Sequence, residues 1–174
     1  HRYLGKEPLF LTRHGIYAIT AEDVTGERYS QKRSAFLDAR LTQEANLSEA
    51  FSVVYHDFYF LCVNGHVYVL DSLQRSYAKD EPYSAFQYEG YYLDNIPARV
   101  MWKQGDTLCF GSADGKVRQF YTDKTDLHSY NDDGEAICAY WDTPYFSGQM
   151  RHDRKQFTYF SATLAPAPAT SITV

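Results

Sequence analysis

The sequence is poor in cysteine, and none of its three cysteines has a second one two positions away. Cys62, Cys109 and Cys138 each lie within an apolar, strand-like segment. Structural zinc sites and disulfide frameworks need closely spaced or paired cysteines. We therefore expect reduced thiols in the core of a protein that is not secreted.

The chain also lacks clusters of lysine and arginine, and its formal net charge is −5. Proteins that bind a phosphate backbone need a basic surface, so we expect no nucleic-acid partner. No apolar run approaches the roughly 18 residues that span a bilayer, which predicts a soluble chain and no membrane partner. The N-terminus has neither an initiating Met nor a signal-like apolar segment, so we expect a fragment of a longer chain or a processed product.

Motifs that carry chemistry are scarce. The segment 111–116 (GSADGK) is one residue short of a phosphate-binding loop, and a strand-like run follows it where such a loop needs a helix. The six histidines show no H-x-x-x-H spacing, and Ser112 lies outside any G-x-S-x-G motif. We predict that the protein is not an enzyme and that it has no catalytic residues, no metal and no cofactor.

The segment 123–135 is acidic and offers oxygen atoms of the kind that calcium prefers. Their order does not match the D-x-[DN]-x-[DN]-G loop of an EF-hand, so we expect a solvated surface loop. Whether this loop binds calcium stays open at the level of the sequence.

Aromatic residues, in contrast, are abundant, at 17% of the chain, with 16 Tyr and 11 Phe. Such residues favour the pleated, half-buried surface of a β-sheet. The stretch 58–71 (FYFLCVNGHVYVLD) places Asn64 and Gly65 between two apolar runs, and this dipeptide suits a two-residue hairpin turn because both positions need a positive φ. The composition and this hairpin predict an all-β fold.

The same hairpin pattern occurs three times. Gly15, Gly65 and Gly115 are 50 residues apart, the runs that follow them share one pattern, and Asp114 completes the third turn. A period of roughly 40 to 50 residues with strand-turn-strand signals is typical of propeller blades. We predict antiparallel, β-propeller-like repeats within a single domain, 1–174, with approximate units 1–50, 51–100 and 101–150 and the start of another at 151–174. The alternative is a β-sandwich built from the same hairpins.

Departures from the strand pattern are few. Apolar spacing in 36–50 predicts one short helix, with Ser34 as its N-cap. We expect further strands at 85–92, 96–102, 136–146 and 156–164. Several aromatic residues could form a contact surface or could be ordinary sheet residues; they are Tyr88, Tyr91, Tyr92, Trp141, Tyr145 and Phe146.

Two resemblances follow from these segments. The three hairpins resemble blade hairpins of quinoprotein-type β-propellers. The segments AICAYWDTPYF and RKQFTYFSATLAPAPATSITV, with DARLTQEANLS upstream, are similar to propeller-like structural proteins of tailed bacteriophages and prophages. This resemblance implies a tail or head-to-tail neck component located in the virion after synthesis in the bacterial cytoplasm, with other virion proteins or copies of itself as partners.

The leading hypothesis is therefore a non-enzymatic structural component of a phage particle. A propeller ring needs at least about four blades, so open strand edges would be covered by neighbouring subunits. The second hypothesis is a carbohydrate- or peptide-binding module that uses tyrosines of the insertion 71–95. The third is a glycoside hydrolase on a propeller scaffold, for which the sequence offers no pair of carboxylates on a rigid frame.

Overall fold

The computed structural model describes residues 2–21, 28–77, 79 and 83–142, together with positions 154, 156, 158, 159, 161, 163 and 171. It divides into two compact units, His1–Gln119 and Phe120–Val174. The single domain and its repeat boundaries remain a prediction. The all-β class is confirmed for the described residues.

The first unit consists of three antiparallel meanders, in which each strand pairs with the strand before it. Sheet 1 contains β1 (Arg2–Leu4), β2 (Glu7–Thr12), β3 (Gly15–Ala21) and β4 (Arg28–Lys32). Sheet 2 contains β5 (Phe51–Tyr55), β6 (Phe58–Val63), β7 (His66–Ser76) and β8 (Gln87–Leu93). Sheet 3 contains β9 (Ala98–Gln104), β10 (Thr107–Ser112) and β11 (Val117–Gln119).

The turns explain why the pattern recurs. Asn64 and Gly65 have φ values of 53° and 82°, as a type I′ turn requires. The turn before it also repeats: Gly5, His56 and Gly105, with φ of 59°, 50° and 60°, follow the first strand of each sheet. The sequence pattern missed this second series because His56 occupies a position at which the other two repeats use glycine.

Gly15 and Gly115, the corresponding glycines of the first and third repeats, do not occupy the same turn position as Gly65. In sheet 1 the two-residue turn is Arg13-His14, and Gly15 is the first residue of β3 with φ of 120°. This offset accounts for the one-residue slip between the first repeat and the second. Gly115 has φ of 80° and lies with Asp114 in the loop between β10 and β11.

Sheets 1 and 2 share one core. Leu9, Ile16 and Ala18 of sheet 1 are fully buried together with Leu61 and Leu70 of sheet 2. Along the first strands, β5 contacts β1 on one side and β9 on the other. The Arg2 side chain donates to the Ser52 carbonyl (3.3 Å), and the Tyr55 hydroxyl donates to the Asp106 carbonyl (2.7 Å). Sheet 2 therefore lies between sheets 1 and 3.

The connection between sheets 1 and 2 contains a short helix, as predicted. It contains α1 (Asp38–Leu41) and a 3₁₀ helix (Leu47–Glu49). Ser34 is not the N-cap, which is Leu37 and has no side-chain cap. The Ser34 hydroxyl instead accepts from the Ile16 amide (2.8 Å) and donates to Asp38 (2.6 Å), because its buried position beside β3 gives it closer partners.

The second unit is described mainly over 120–142. It contains a 3₁₀ helix (Leu127–Tyr130), whose N-terminus is capped by the Asp126 side chain. The pair β12 (Asn131–Asp132) and β13 (Glu135–Ala136) follows. The predicted strand 136–146 is wrong over its described part, because β13 ends at Ala136 and 137–142 are exposed without ladder pairing. Residues 143–146, 157, 160, 162 and 164 lie outside the described residues. The described positions of the predicted strand 156–164 are exposed and belong to no strand, so that prediction is wrong there; they are 156, 158, 159, 161 and 163.

The cysteine predictions have a mixed outcome. Cys62 and Cys109 are buried in β6 and β10 with free thiols, as expected. Cys138 is also free but exposed and outside any strand, so its assignment to the core is wrong. Among the described residues, no helix is long and apolar enough to cross a membrane.

Candidate interaction surfaces

The predicted aromatic contact residues do not form one surface. The prediction of Tyr88 as a contact residue is wrong, because its side chain is buried in the core between sheets 1 and 2. Tyr91 is exposed on β8, and Tyr92 is half-buried. Trp141 is exposed in the second unit. Tyr145 and Phe146 lie outside the described residues.

The insertion 71–95 does present one aromatic pair that the sequence analysis did not single out. Tyr77 and Tyr83 stack with their ring centroids 4.7 Å apart and their planes 15° from parallel. Their hydroxyl oxygens are 3.1 Å apart. Tyr83 is 74% exposed, and Arg75 lies over the neighbouring Phe86 ring at 4.5 Å. The pair forms a flat aromatic surface with a cation beside it.

Glu44 is the centre of a second cluster, at the turn between β6 and β7. Its carboxylate accepts from the Asn64 amide (2.9 Å) and the Tyr68 hydroxyl (2.7 Å), and it lies 2.6 Å from Nδ1 of His66. Burial raises the pKa of Glu44, but the hydrogen bonds from Tyr68, Asn64 and His66 outweigh it and lower the pKa below its ordinary value. The carboxylate therefore fixes the segment after α1 to sheet 2.

A shallow cavity of about 310 Å³ lies beside this cluster. It is lined by Arg40, Gln43, Glu44, Tyr68 and Tyr92. Arg40 lies over the Tyr92 ring at 4.5 Å, and the Tyr68 and Tyr92 rings meet edge to face at 5.3 Å. Arg40 and Tyr92 thus contact each other, as do Glu44 and Tyr68, and Gln43 donates to the Ala39 carbonyl. We interpret the cavity as a packing feature of the connection between sheets 1 and 2.

Arg33 joins the same two sheets from within. Its fully buried guanidinium binds both carboxylate oxygens of Glu7, at 3.0 and 2.7 Å. It also donates to the Ser84 and Phe86 carbonyls (3.0 and 2.7 Å) and lies 3.8 Å above the Phe86 ring. The Tyr88 hydroxyl donates to Glu7 (2.9 Å). This network holds the segment before β8 against β2.

The predicted turn residue Asp114 is held by local partners. Its carboxylate accepts from Arg118 at 3.0 Å and also from the Ser112 hydroxyl and the Lys116 amide. The hydrogen bond from Arg118, followed by that from Ser112, holds the pKa of Asp114 well below its usual range. These contacts close the loop between β10 and β11.

The outer face of sheet 1 is apolar and only partly buried. On β2 and β3, side chains alternate between the shared core and this outer face, which carries Pro8, Phe10, Tyr17 and Ile19. Ile19 is 44% exposed, and the Phe10 and Tyr17 rings stack at 6.1 Å. We call these four residues the sheet 1 outer face.

The matching residues of sheet 2 are in a different situation. When the turns Arg13-His14 and Asn64-Gly65 are aligned, the four residues of the sheet 1 outer face correspond to four residues of sheet 2. In sheet 2 these equivalent residues pack against sheet 1. These residues are fully buried: Tyr59, Leu61, Tyr68 and Leu70. The repeat pattern could have revealed this face, since it predicts the same apolar positions in both repeats. It did not indicate in which copy these positions are buried.

Side chains that bind metal ions do not converge in the part of the chain that the structure describes. Three or more His, Cys, Asp or Glu side chains are nowhere grouped there as a metal site would need. Burial raises the pKa of the Cys62 thiol to about 12, which keeps it protonated. In the acidic loop, Asp123 accepts from the Thr125 amide and Asp126 from the His128 amide, so both carboxylates serve local turns.

The chain was also compared with known proteins. No family model, no curated protein and no solved structure matches it.

Proposed function

We propose that this chain is a non-enzymatic structural module of a tailed-phage or prophage particle, belonging to the tail or the head-to-tail neck. The observation that carries the proposal is the sheet 1 outer face, which presents apolar residues whose equivalents in sheet 2 are fully buried. A rigid series of sheets that presents such a face is suited to assembly with other proteins.

The polar groups of the first unit support a scaffold role. Arg33 and Glu7 are paired with each other, and Glu44 is bound by three side chains. Every side-chain nitrogen or oxygen that is buried in the described residues has a hydrogen-bond partner. The buried polar groups around Arg33 and Glu44 are thus engaged in structural contacts.

We further propose that the three meanders are blades of a propeller-like assembly. Two features support blades over a two-sheet sandwich. The first strands β1, β5 and β9 follow one another side by side, and the sheets succeed each other along the chain with a period near 50 residues. In this arrangement the first strands would line the centre of the assembly.

The test is the protein content of purified particles. The bacterium that encodes the chain is treated to induce its prophages, particles are purified by density, and their proteins are identified by mass spectrometry. We expect peptides of this chain to copurify with capsid and tail proteins at constant ratio across the particle band. Peptides that are found in the cell lysate but are absent from the particle band would contradict the proposal.

A second candidate is carbohydrate or peptide binding, favoured by the stacked pair Tyr77 and Tyr83. Exposed aromatic rings provide flat apolar contact area at low entropic cost. A glycan and peptide array probed with the chain would test this candidate, with Tyr83→Ala as the variant and Tyr121→Ala as an exposed-tyrosine control. Binding that is lost only in Tyr83→Ala would support it, and the absence of any binding would reject it.

A further inference from the structure

We propose that Asn64 is a site of spontaneous deamidation, and that its conversion to a carboxylate releases the helical connection 38–50 from the hairpin β6–β7. The inference goes beyond the proposed function, because it concerns a covalent change in the chain itself. It follows from the contacts of the Asn64 side-chain amide and from the glycine that comes next in the chain.

The residue after Asn64 distinguishes it from the other three asparagines. Gly65 has no Cβ, so its backbone nitrogen is open to the side chain before it. The other asparagines precede larger residues; the pairs are Asn46-Leu47, Asn95-Ile96 and Asn131-Asp132. Asn46 and Asn95 are exposed like Asn64, and the three share a left-handed backbone with φ of 58°, 56° and 53°. Asn46 and Asn95 are therefore internal controls for the effect of the following residue.

Deamidation needs only water as a co-reactant. The Gly65 amide nitrogen attacks Cγ of Asn64 and loses its proton, the Cγ–Nδ2 bond breaks, and ammonia leaves with that proton. Water then opens the cyclic succinimide at one of its two carbonyl groups, which leaves aspartate or isoaspartate. The strand ladder closes at the pair Val63–His66, so the Gly65 amide lies outside it, and Asn64 is exposed to water. The nucleophile and the water are thus both in place.

The folded chain restrains the reaction by holding the leaving group. Nδ2 of Asn64 donates to a carboxylate oxygen of Glu44 (2.9 Å) and to the Ala45 carbonyl. Glu44 is itself fixed by the Tyr68 hydroxyl (2.7 Å) and lies 2.6 Å from Nδ1 of His66. These hydrogen bonds fix the orientation of the amide, and they must break before Cγ can turn onto the Gly65 nitrogen. The attached connection therefore slows the loss of the Asn64 amide.

Deamidation would convert this attractive contact into a repulsive one. A carboxylate has no N–H group to donate, so the new side chain would place a negative charge opposite Glu44 and a lone pair opposite the Ala45 carbonyl. α1 has one turn and no side-chain cap, so it cannot hold the connection by itself. We expect the connection to open locally, and the loss of ammonia makes the change irreversible.

The first experiment measures where and how fast the chain deamidates at neutral pH, by peptide mapping with mass spectrometry. It compares the wild type with Glu44→Ala and with the matched control Glu49→Ala, which removes an exposed carboxylate from the same connection. Leu9→Ala opens a cavity in the shared core and controls for a general loss of stability. The wild type in guanidinium chloride gives the unrestrained rate, and circular dichroism checks that each variant is folded.

We expect Asn64 to react before Asn46 and Asn95 in each protein, and several-fold faster in Glu44→Ala than in the wild type or Glu49→Ala. Two results would overturn the proposal. One is an Asn64 amide that is lost no faster in Glu44→Ala than in the wild type. The other is an equal acceleration in Leu9→Ala, which would assign the reaction to the unfolded chain.

The second experiment tests the structural consequence with Asn64→Asp, which mimics the aspartate product. Asn131→Asp is the matched control, because it introduces the same charge beside a turn of the second unit. Hydrogen exchange followed by mass spectrometry should show several-fold faster exchange within 38–50 in Asn64→Asp and no change there in Asn131→Asp. Exchange in 38–50 that matches the wild type in both variants would show that the carboxylate does not release the connection, and would overturn this part of the proposal.

Discussion

At the scale of single residues, backbone conformation and buried charge decide what each position tolerates. Gly15 and Gly65 both have positive φ, but they differ in their surroundings. A Cβ atom at Gly65 would lie 4.0 Å from the backbone of Ile96 and Pro97, whereas one at Gly15 would collide with Asp38 and come within 2.7 Å of Ser34 Oγ. Glycine is therefore required at Gly65 by its backbone conformation alone, and at Gly15 by both its backbone conformation and the lack of space for a side chain.

This difference predicts the effect of adding one methyl group. Gly65→Ala should lower the free energy of unfolding by about 1 to 2 kcal/mol, the cost of a left-handed conformation for an L-residue. Gly15→Ala should cost about 3 kcal/mol, because overpacking adds to that strain. Urea denaturation followed by circular dichroism measures both. Equal losses in the two variants would show that the Ser34 and Asp38 contacts do not constrain Gly15.

Arg33 provides a prediction about buried charge. Arg33→Met should destabilise the protein by about 3 to 5 kcal/mol, because the Glu7 carboxylate would stay behind without its partner. The control Lys32→Met breaks the more exposed pair with Asp38 and should cost less than about 1 kcal/mol.

The double variant Glu7→Gln with Arg33→Met separates the lost pair from the lost packing. We expect the double variant to lose less unfolding free energy than the sum of the losses of the two single variants, by more than about 1 kcal/mol. The reason is that neither position then carries a buried charge without a partner. Additive losses in a denaturation series would contradict the assignment of Arg33 and Glu7 to one network.

At the scale of elements, the main structural question is how the helical connection is fixed to the sheets. α1 has only one turn and no side-chain cap, so propensity alone cannot stabilise it. Leu37 and Leu41 anchor the connection in the core between sheets 1 and 2, and Glu44 binds the hairpin β6–β7. The connection is therefore ordered by tertiary contacts that are distant in the sequence.

The Glu44 cluster makes stability depend on pH. The pKa of Glu44 is lowered in the folded state, so its contribution is complete above the ordinary pKa of 4.5 and is lost as the pH falls through the folded pKa. Urea midpoints measured from neutral pH downwards should fall more steeply below 4.5 for the wild type than for Glu44→Gln. Parallel curves for the two proteins would contradict a role for the ionised carboxylate.

The sequence predicted most strands of the first unit because their alternation and turn residues are local signals. The hairpin at Asn64-Gly65, a strand at β8 and the short helix within 36–50 all follow from neighbouring residues. The burial of Tyr88, the networks of Arg33 and Glu44 and the role of Ser34 depend on partners 18 or more residues away. Composition and periodicity carry no information about such pairs.

Beyond residue 120 the local signals failed for a physical reason. The segment 137–142 is apolar enough to predict a strand, yet Ile137, Tyr140 and Trp141 are exposed. β-propensity reflects packing against cross-strand neighbours, and β13 ends before these residues. An aromatic run predicts a strand only where a partner strand is present to pair with it.

At the scale of the whole molecule, the first unit is a series of three sheets that presents partly exposed apolar residues. The sheet 1 outer face is apolar and partly exposed, and Val100 and Val117 of sheet 3 are exposed as well. The proposed function depends on these surfaces, since every buried side-chain nitrogen and oxygen among the described residues already has a hydrogen-bond partner.

The most direct test of this account is the mass of the wild-type chain in solution over a wide range of concentrations, by light scattering coupled to size-exclusion chromatography. We predict a mass that rises from 20.1 kDa towards multiples of it as the concentration increases, because exposed apolar faces such as the sheet 1 outer face are buried on association. A mass that remains at 20.1 kDa at every concentration would contradict association through these faces.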